Sequence, residues 1–131
     1  MPRPHNLIIE YLAVFAGGAL GSSIRELLIP ALPELAWVTA TFEVNLVACF
    51  VLGWLYAVRH RVHAHVMHLG AVGFCGGLST FSSFAEDIFQ LLATGQYVDA
   101  IRAPALEIVF GIGVALLGEM LGRRWHGEAT R

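Results

Sequence analysis

Apolar residues along this chain fall into four long runs, separated by short connections that are richer in charge. The runs cover residues 7–25, 36–58, 66–92 and 101–122. A helix needs about 20 residues to cross the hydrocarbon core of a bilayer, and each run is about that long or longer. The pattern therefore predicts an all-α membrane protein with four transmembrane helices, which form a single domain over residues 1–131.

The third run is interrupted near its middle. Gly76 and Gly77 are followed by a stretch rich in hydroxyl groups, which reads Leu78-Ser79-Thr80-Phe81-Ser82-Ser83-Phe84. Lipid offers no partner for the backbone groups that a broken helix sets free, and each such group would cost several kcal/mol. Discontinuous membrane helices expose carbonyls and helix ends where ions bind. The interruption predicts a third helix broken near its middle, in a protein that moves or holds an ion.

Composition supports a membrane protein and argues against several other classes. Hydrophobic residues make up 56% of the chain and charged residues 14%, and the mean hydropathy is +0.66. The net charge of −2 offers no basic face for a nucleic acid. Both cysteines, Cys49 and Cys75, lie in apolar runs, where thiols pack as small residues. We find no Ser/His/Asp, Cys/His or metal-ligand constellation on a shared face, so we do not expect an enzyme.

Basic residues are distributed unevenly between the two sides of the predicted membrane domain. All of them are arginine. Arg25 and Arg102 fall on one side, and the other side carries Arg3, Arg59, Arg61, Arg123, Arg124 and Arg131. Because short cytoplasmic segments of membrane proteins are enriched in Lys and Arg, this bias predicts that both termini lie in the cytoplasm.

Polar side chains also occur inside the apolar runs. Asn45 lies near the middle of the second run, and Thr41 shares its helical face. Glu107 lies on a stripe of small residues in the fourth run, which directs it toward protein; an acidic residue at membrane depth is functional by default. The two phenylalanines of the third run have positive ring edges, which can coordinate a small anion. Amide, hydroxyl and paired aromatic groups together indicate an anion pathway.

These residues resemble the Fluc/CrcB family of bacterial fluoride channels along nearly the whole chain. The first-helix pattern of glycines ending in an arginine is matched by residues 17–25, which end at Arg25, and the second-helix Val-Asn motif by Val44-Asn45-Leu46. The third-helix signature is matched by Gly76-Gly77-Leu78-Ser79-Thr80-Phe81-Ser82-Ser83-Phe84. This last match is long and unusual enough to be specific by itself.

The resemblance implies a mechanism, a cofactor and an assembly. Family members are antiparallel dimers of four-helix subunits with two fluoride pathways, through which fluoride leaves the cell passively. Carried over by position, the fluoride pathway would be formed by Asn45, Phe81, Phe84, Ser82 and Ser83, with Thr41 on the face of Asn45. A structural sodium ion on the dimer axis would be bound by the backbone carbonyls of Gly76 and Ser79 from each subunit. The location would be the bacterial cytoplasmic membrane.

Two glutamates depart from the family pattern. Glu43 replaces a residue that is usually neutral, and Glu107 falls where family members commonly have serine near the pore. An ionised Glu107 beside the pathway would repel fluoride, whereas a neutral one could donate a hydrogen bond. We therefore treat Arg25, Glu43 and Glu107 as candidate modulators of the pathway.

Alternative functions and assemblies stay open at this point. The uneven arginines favour one fixed orientation, which fits a heterodimer with a homologous subunit, whereas an antiparallel homodimer needs one sequence to insert both ways. In a heterodimer the chain could be a non-conducting or half-channel subunit. A small proton-coupled exporter of organic cations would also have four short helices, with Glu43 or Glu107 as its intramembrane acid.

Overall fold

The computed structural model describes residues 4–32 and 39–127. Helix is the only regular secondary structure in these two ranges, so the all-α class is confirmed. The start of the second apolar run, residues 36–38, lies outside the described residues, as do Arg3 and Arg131 of the charge argument. In chain order the α-helices of the described ranges are α1 Pro4–Leu28, α2 Ala40–Val58, α3 Ala64–Met67, α4 Cys75–Leu78, α5 Phe81–Ala93 and α6 Tyr97–Gly127.

Three helical stretches in the described ranges are long and apolar enough to cross a membrane. They are Leu7–Ala31, Ala40–Val58 and Tyr97–Trp125. The first combines α1 with a short 3-10 turn, Ile29–Ala31. The second begins where the Thr39 hydroxyl accepts a hydrogen bond from the Phe42 N–H, a side-chain cap of the kind that favours a helix start.

The chain between α2 and α6 is divided into shorter helical pieces. α3 continues into a π-helical segment, His68–Phe74, which leads directly into α4. Two non-helical residues separate α4 from α5. α5 ends in a tight turn at Gly95, whose positive φ of 76° suits glycine, and the Gln96 N–H closes the turn on the Leu91 carbonyl.

Glycines set the close approach of the helices. A Cβ atom at Gly17 or Gly21 of α1 would collide with backbone carbonyls of the π-helical segment, those of Leu69 and Phe74 respectively. A Cβ atom at Gly118 of α6 would likewise collide with the Phe50 carbonyl of α2. The glycines of α1 and the small-residue stripe predicted for the fourth run therefore pack backbone against backbone.

A small core lies where α1, α2 and α4 meet. Val44, Ala48 and Leu78 are buried, and Leu78 is only 1% exposed. Ile24 and Phe74 pack against this cluster. Because Leu78 is the last residue of α4, its burial against α2 fixes the end of that helix beside Asn45.

Candidate functional site

The site is centred on the interruption between α4 and α5. Ser79 and Thr80 have extended backbone conformations, with ψ angles of 157° and 117°. Thr80 is buried and caps α5, since its hydroxyl accepts a hydrogen bond of 3.2 Å from the Ser83 N–H. Ser79 thus ends α4, and the next residue, Thr80, begins α5.

Two of the backbone carbonyls at this interruption lose helical donors that now bond to side chains. In a continuous helix the Thr80 N–H would donate to the Gly76 carbonyl, but here it donates to Asn45 Oδ1 at 3.0 Å. The Ser83 N–H, which would donate to the Ser79 carbonyl, goes to the Thr80 hydroxyl instead. The carbonyls of Gly76 and Ser79 are therefore left with acceptor capacity, and Gly76 is exposed in the single chain.

Arg25 binds the end of α4. Its Nη1 donates to the Gly77 carbonyl at 3.1 Å, and the Ser22 hydroxyl donates to the same oxygen at 3.4 Å. The guanidinium also contacts the exposed Glu26 carboxylate at 3.3 Å. A cation at a helix C-terminus is favourable, so Arg25 stabilises the broken helix end rather than lining a cleft.

Asn45 connects three separate parts of the fold. Its amide oxygen accepts from the Thr80 N–H, and its amide nitrogen donates to Glu107 Oε1 on α6 at 2.5 Å. These two partners determine the orientation of the amide, because a backbone N–H can only donate and a carboxylate can only accept. The second N–H of the amide and Glu107 Oε2 have no hydrogen-bond partner among the described residues.

Two clefts meet at Phe84 and Glu107, which line both of them. The first cleft, of about 480 Å³, is also lined by Asn45, Thr80 and Phe81. We call it the inner cleft. The second, of about 310 Å³, we call the outer cleft; its lining includes Thr39, Asp87, Gln90, Asp99 and Arg102.

The two phenylalanines form a pair at the edge of the inner cleft. The ring centroids of Phe81 and Phe84 are 5.9 Å apart and the ring planes are tilted by 38°. Phe81 is 80% exposed in the single chain, whereas Phe84 is half-buried between the two clefts. An anion that moved between the clefts would therefore pass the Phe84 ring and the Glu107 carboxyl.

The other residues proposed from the sequence lie further from this junction. Ser82 and Ser83 contact the Thr80 hydroxyl, at 3.1 and 3.2 Å, and line neither cleft. Thr41 is buried on α2 and faces the Asp87 carboxyl. Glu43 is half-buried and makes no side-chain hydrogen bond or ion pair with the described residues.

Two residues of the site were missed by the sequence reasoning. Thr80 bonds to Asn45, Ser82 and Ser83 at the centre of the site, and a threonine directly ahead of an apolar helical run is an N-cap signal that could have identified it. Asp87 lines the outer cleft, but an acid near the end of an apolar run looks like an ordinary boundary residue. Only the packing of α5 against α6 shows that it faces the same space as Glu107.

The fold and site define a small helical membrane protein that gathers amide, aromatic and carboxyl groups around a helix interruption. Comparison with known proteins places it more closely. The chain belongs to the CrcB family: the family described as "CrcB-like protein, Camphor Resistance (CrcB)" matches residues 12–119. The family recognised from the motifs is thereby confirmed, and it is a family of ion channels rather than enzymes.

Relatives from distant organisms carry the same name. The chain is 60% identical to the fluoride-specific ion channel FluC of Ruegeria pomeroyi over 114 residues, which cover 87% of this chain and 90% of that protein. It is 40% identical to FluC of Ignicoccus hospitalis, over 85% of this chain and 93% of that protein. With FluC of Phocaeicola vulgatus it shares 34% identity, over 89% and 97% of the two chains.

Proposed function

We propose that this chain is a subunit of a fluoride-selective channel through which cytoplasmic fluoride leaves the cell passively. The observation that carries the proposal is the orientation of Asn45. Its oxygen and one N–H are held by protein partners, so its remaining N–H is an available donor on a side chain that lines the inner cleft. Phe81 and Phe84 line the same cleft, and the edge of an aromatic ring carries partial positive charge.

This donor set suits a small, strongly hydrated anion. A channel must replace the hydration shell of its ion while binding it weakly enough for release. An amide N–H and aromatic ring edges offer partial positive charge, and the described lining of the inner cleft has no arginine to trap the anion. Thr41, Ser82 and Ser83 stay proposed pathway residues, since their hydroxyls would reach the ion only beyond this cleft or after rearrangement.

Fluoride efflux from liposomes that contain this purified chain, either alone or together with a homologous subunit, tests the proposal. We expect rapid efflux of fluoride and none of chloride, and loss of fluoride efflux in Asn45→Asp, which removes both amide donors. Glu119→Gln, on the part of α6 away from both clefts, is the matched control and should conduct like the wild type. Chloride efflux as fast as fluoride efflux would contradict a fluoride-selective channel.

A structural sodium ion fits the same interruption. Hard cations prefer oxygen ligands, and the carbonyls of Gly76 and Ser79 have both lost helical donors to side-chain acceptors. Gly76 has open space where a side chain would stand, so a second chain could approach its backbone. Bound sodium would supply a fixed positive charge near the pathway. Efflux should fall when potassium replaces sodium throughout, and equal efflux in the two salts would argue against sodium.

We further propose an antiparallel dimer in the bacterial cytoplasmic membrane, with lipid around it. The bias of the arginines supports a single orientation with both termini in the cytoplasm, and hence a homologous partner of opposite topology rather than a homodimer. Reporter fusions to the C-terminus distinguish the two. Signal on one membrane face supports a heterodimer, whereas equal signal on both faces supports a homodimer.

One observation favours a non-conducting or half-channel subunit as the second candidate. The Glu107 carboxyl stands 2.5 Å from the amide proposed to bind fluoride, and a carboxylate there would oppose an anion. Efflux that appears only after co-reconstitution with a homologous subunit would support this reading. The cation exporter has less support, because the family to which the chain belongs is one of ion channels.

A further inference from the structure

Glu107 occupies the junction between the two clefts. It lines both, and so does Phe84, so an aromatic ring and a carboxyl group stand where the two clefts adjoin. Only one carboxyl oxygen is engaged, since Oε1 accepts from Asn45 while Oε2 has no partner among the described residues. The free oxygen is thus available to whatever passes the junction.

The two protonation states of this oxygen act on an anion with opposite sign. An ionised carboxylate accepts hydrogen bonds and offers none. It would also repel a neighbouring anion by about 4 kcal/mol at 4 Å and an effective dielectric constant of 20. A protonated carboxyl keeps one oxygen as the acceptor for Asn45 and gains an O–H donor on the other. One proton therefore converts the junction from a barrier into a binding group.

We propose that Glu107 is a proton-operated gate, which passes fluoride when its carboxyl is protonated and blocks the junction when it is ionised. The inference rests on the proposed channel function and adds a residue to the group that coordinates the ion. In the open state fluoride would receive hydrogen bonds from the Glu107 O–H and from the second N–H of Asn45.

Other titratable groups face Glu107 from each helix packed around it. Asp87 faces it from α5 across the outer cleft, and Cys49 faces it from α2 on the inner cleft. On α6 itself, Asp99 and Arg102 also line the outer cleft and pair with each other at 3.1 Å.

The test is fluoride efflux measured over a range of pH, with empty liposomes at each pH to subtract leakage of hydrofluoric acid. Wild-type efflux should fall as pH rises, by up to about tenfold per unit once most Glu107 is ionised. Efflux through Glu107→Gln, which retains an acceptor and an N–H donor, should not change with pH. Glu107→Ser, a smaller neutral donor, should behave likewise, while Glu119→Gln should keep the wild-type profile.

Each outcome of this test either supports or contradicts the Glu107 gate. A wild-type profile that is flat, or a pH dependence that persists in both Glu107 variants, would overturn the gate while leaving the channel intact. If neither wild type nor variants move fluoride at any pH, either alone or after co-reconstitution with a homologous subunit, the proposed function fails and the gate fails with it. Elution of each variant as a single sharp peak from a sizing column in detergent excludes misfolding as the cause of a lost signal.

Discussion

Exchanging the amide group of Asn45 and the carboxyl group of Glu107 should separate the structural role of this contact from its role in transport. Asn45→Asp keeps the oxygen that accepts from the Thr80 N–H but places a second oxygen against Glu107 Oε1, where the amide nitrogen stood at 2.5 Å. Two acceptors then face each other. Glu107→Gln in the same chain restores a donor, because the introduced amide can give an N–H to the introduced carboxylate.

The magnitude follows from the geometry of this contact. Asn45→Asp loses a hydrogen bond to a charged group, worth about 1.5–3 kcal/mol. It also adds repulsion between two carboxylates, about 4 kcal/mol at 4 Å and an effective dielectric constant of 20. At a pH where both carboxyl groups are ionised, we expect Asn45→Asp to lower the free energy of unfolding by about 5–7 kcal/mol. Glu107→Gln alone should cost about 1 kcal/mol, since the introduced amide oxygen still accepts from Asn45.

The assay is a double-mutant cycle, with unfolding in mixed detergent micelles for stability and liposome efflux for transport. The exchanged pair should recover most of the lost stability, with a coupling energy of at least 2 kcal/mol. Fluoride efflux should stay absent, because no N–H remains at position 45. If the stability losses of the two single variants add up to that of the double variant within about 0.5 kcal/mol, the hydrogen bond between Asn45 and Glu107 is refuted. Recovered efflux in the double variant would refute Asn45 as a fluoride donor.

Three further predictions concern the supports of the interruption, each read out by unfolding in micelles. Arg25→Gln should lower the free energy of unfolding by about 1–3 kcal/mol, because it removes the charged donor from the end of α4; Glu26→Gln, at an exposed neighbour, should be close to neutral. Gly21→Ala should cost about 1–3 kcal/mol by forcing α1 away from its neighbour, whereas Gly113→Ala, with no atom within 4 Å of the added Cβ, should not destabilise. Thr80→Val removes the cap of α5 and should cost about 1 kcal/mol, with Thr80→Ser retaining most of it. If a variant and its control change the free energy of unfolding equally, the contact assigned to the substituted residue is contradicted.

Much of the fold could be predicted from hydrophobic pattern alone. Long apolar runs at membrane length leave helix as the structure that satisfies every backbone group, so the all-α class follows from composition and spacing. The π-helical segment His68–Phe74 could not be predicted. This segment lies against Gly17 and Gly21 of α1. Only the packing of α1 shows that these two glycines leave room for the wider turns of a π-helix.

The site was predictable in its parts and not in its connections. Asn45 and Glu107 could be recognised individually as polar residues in apolar runs, and Phe84 as one of a pair of phenylalanines. The hydrogen bond between Asn45 and Glu107 joins residues 62 positions apart, and no local pattern relates them. Sequence reasoning treated Glu107 as a departure near the pore, whereas the structure makes it the direct partner of the amide that the pathway depends on.

The interruption also bears on how many chains make a working unit. The Gly76 carbonyl has lost its helical donor, and Gly76 is exposed in the single chain within an apolar run. A carbonyl without a partner that faces lipid costs several kcal/mol. Phe81, 80% exposed beside the inner cleft, leaves the same region uncovered. A second chain over this face would remove that cost and cover the cleft, so the exposed break is consistent with the proposed dimer.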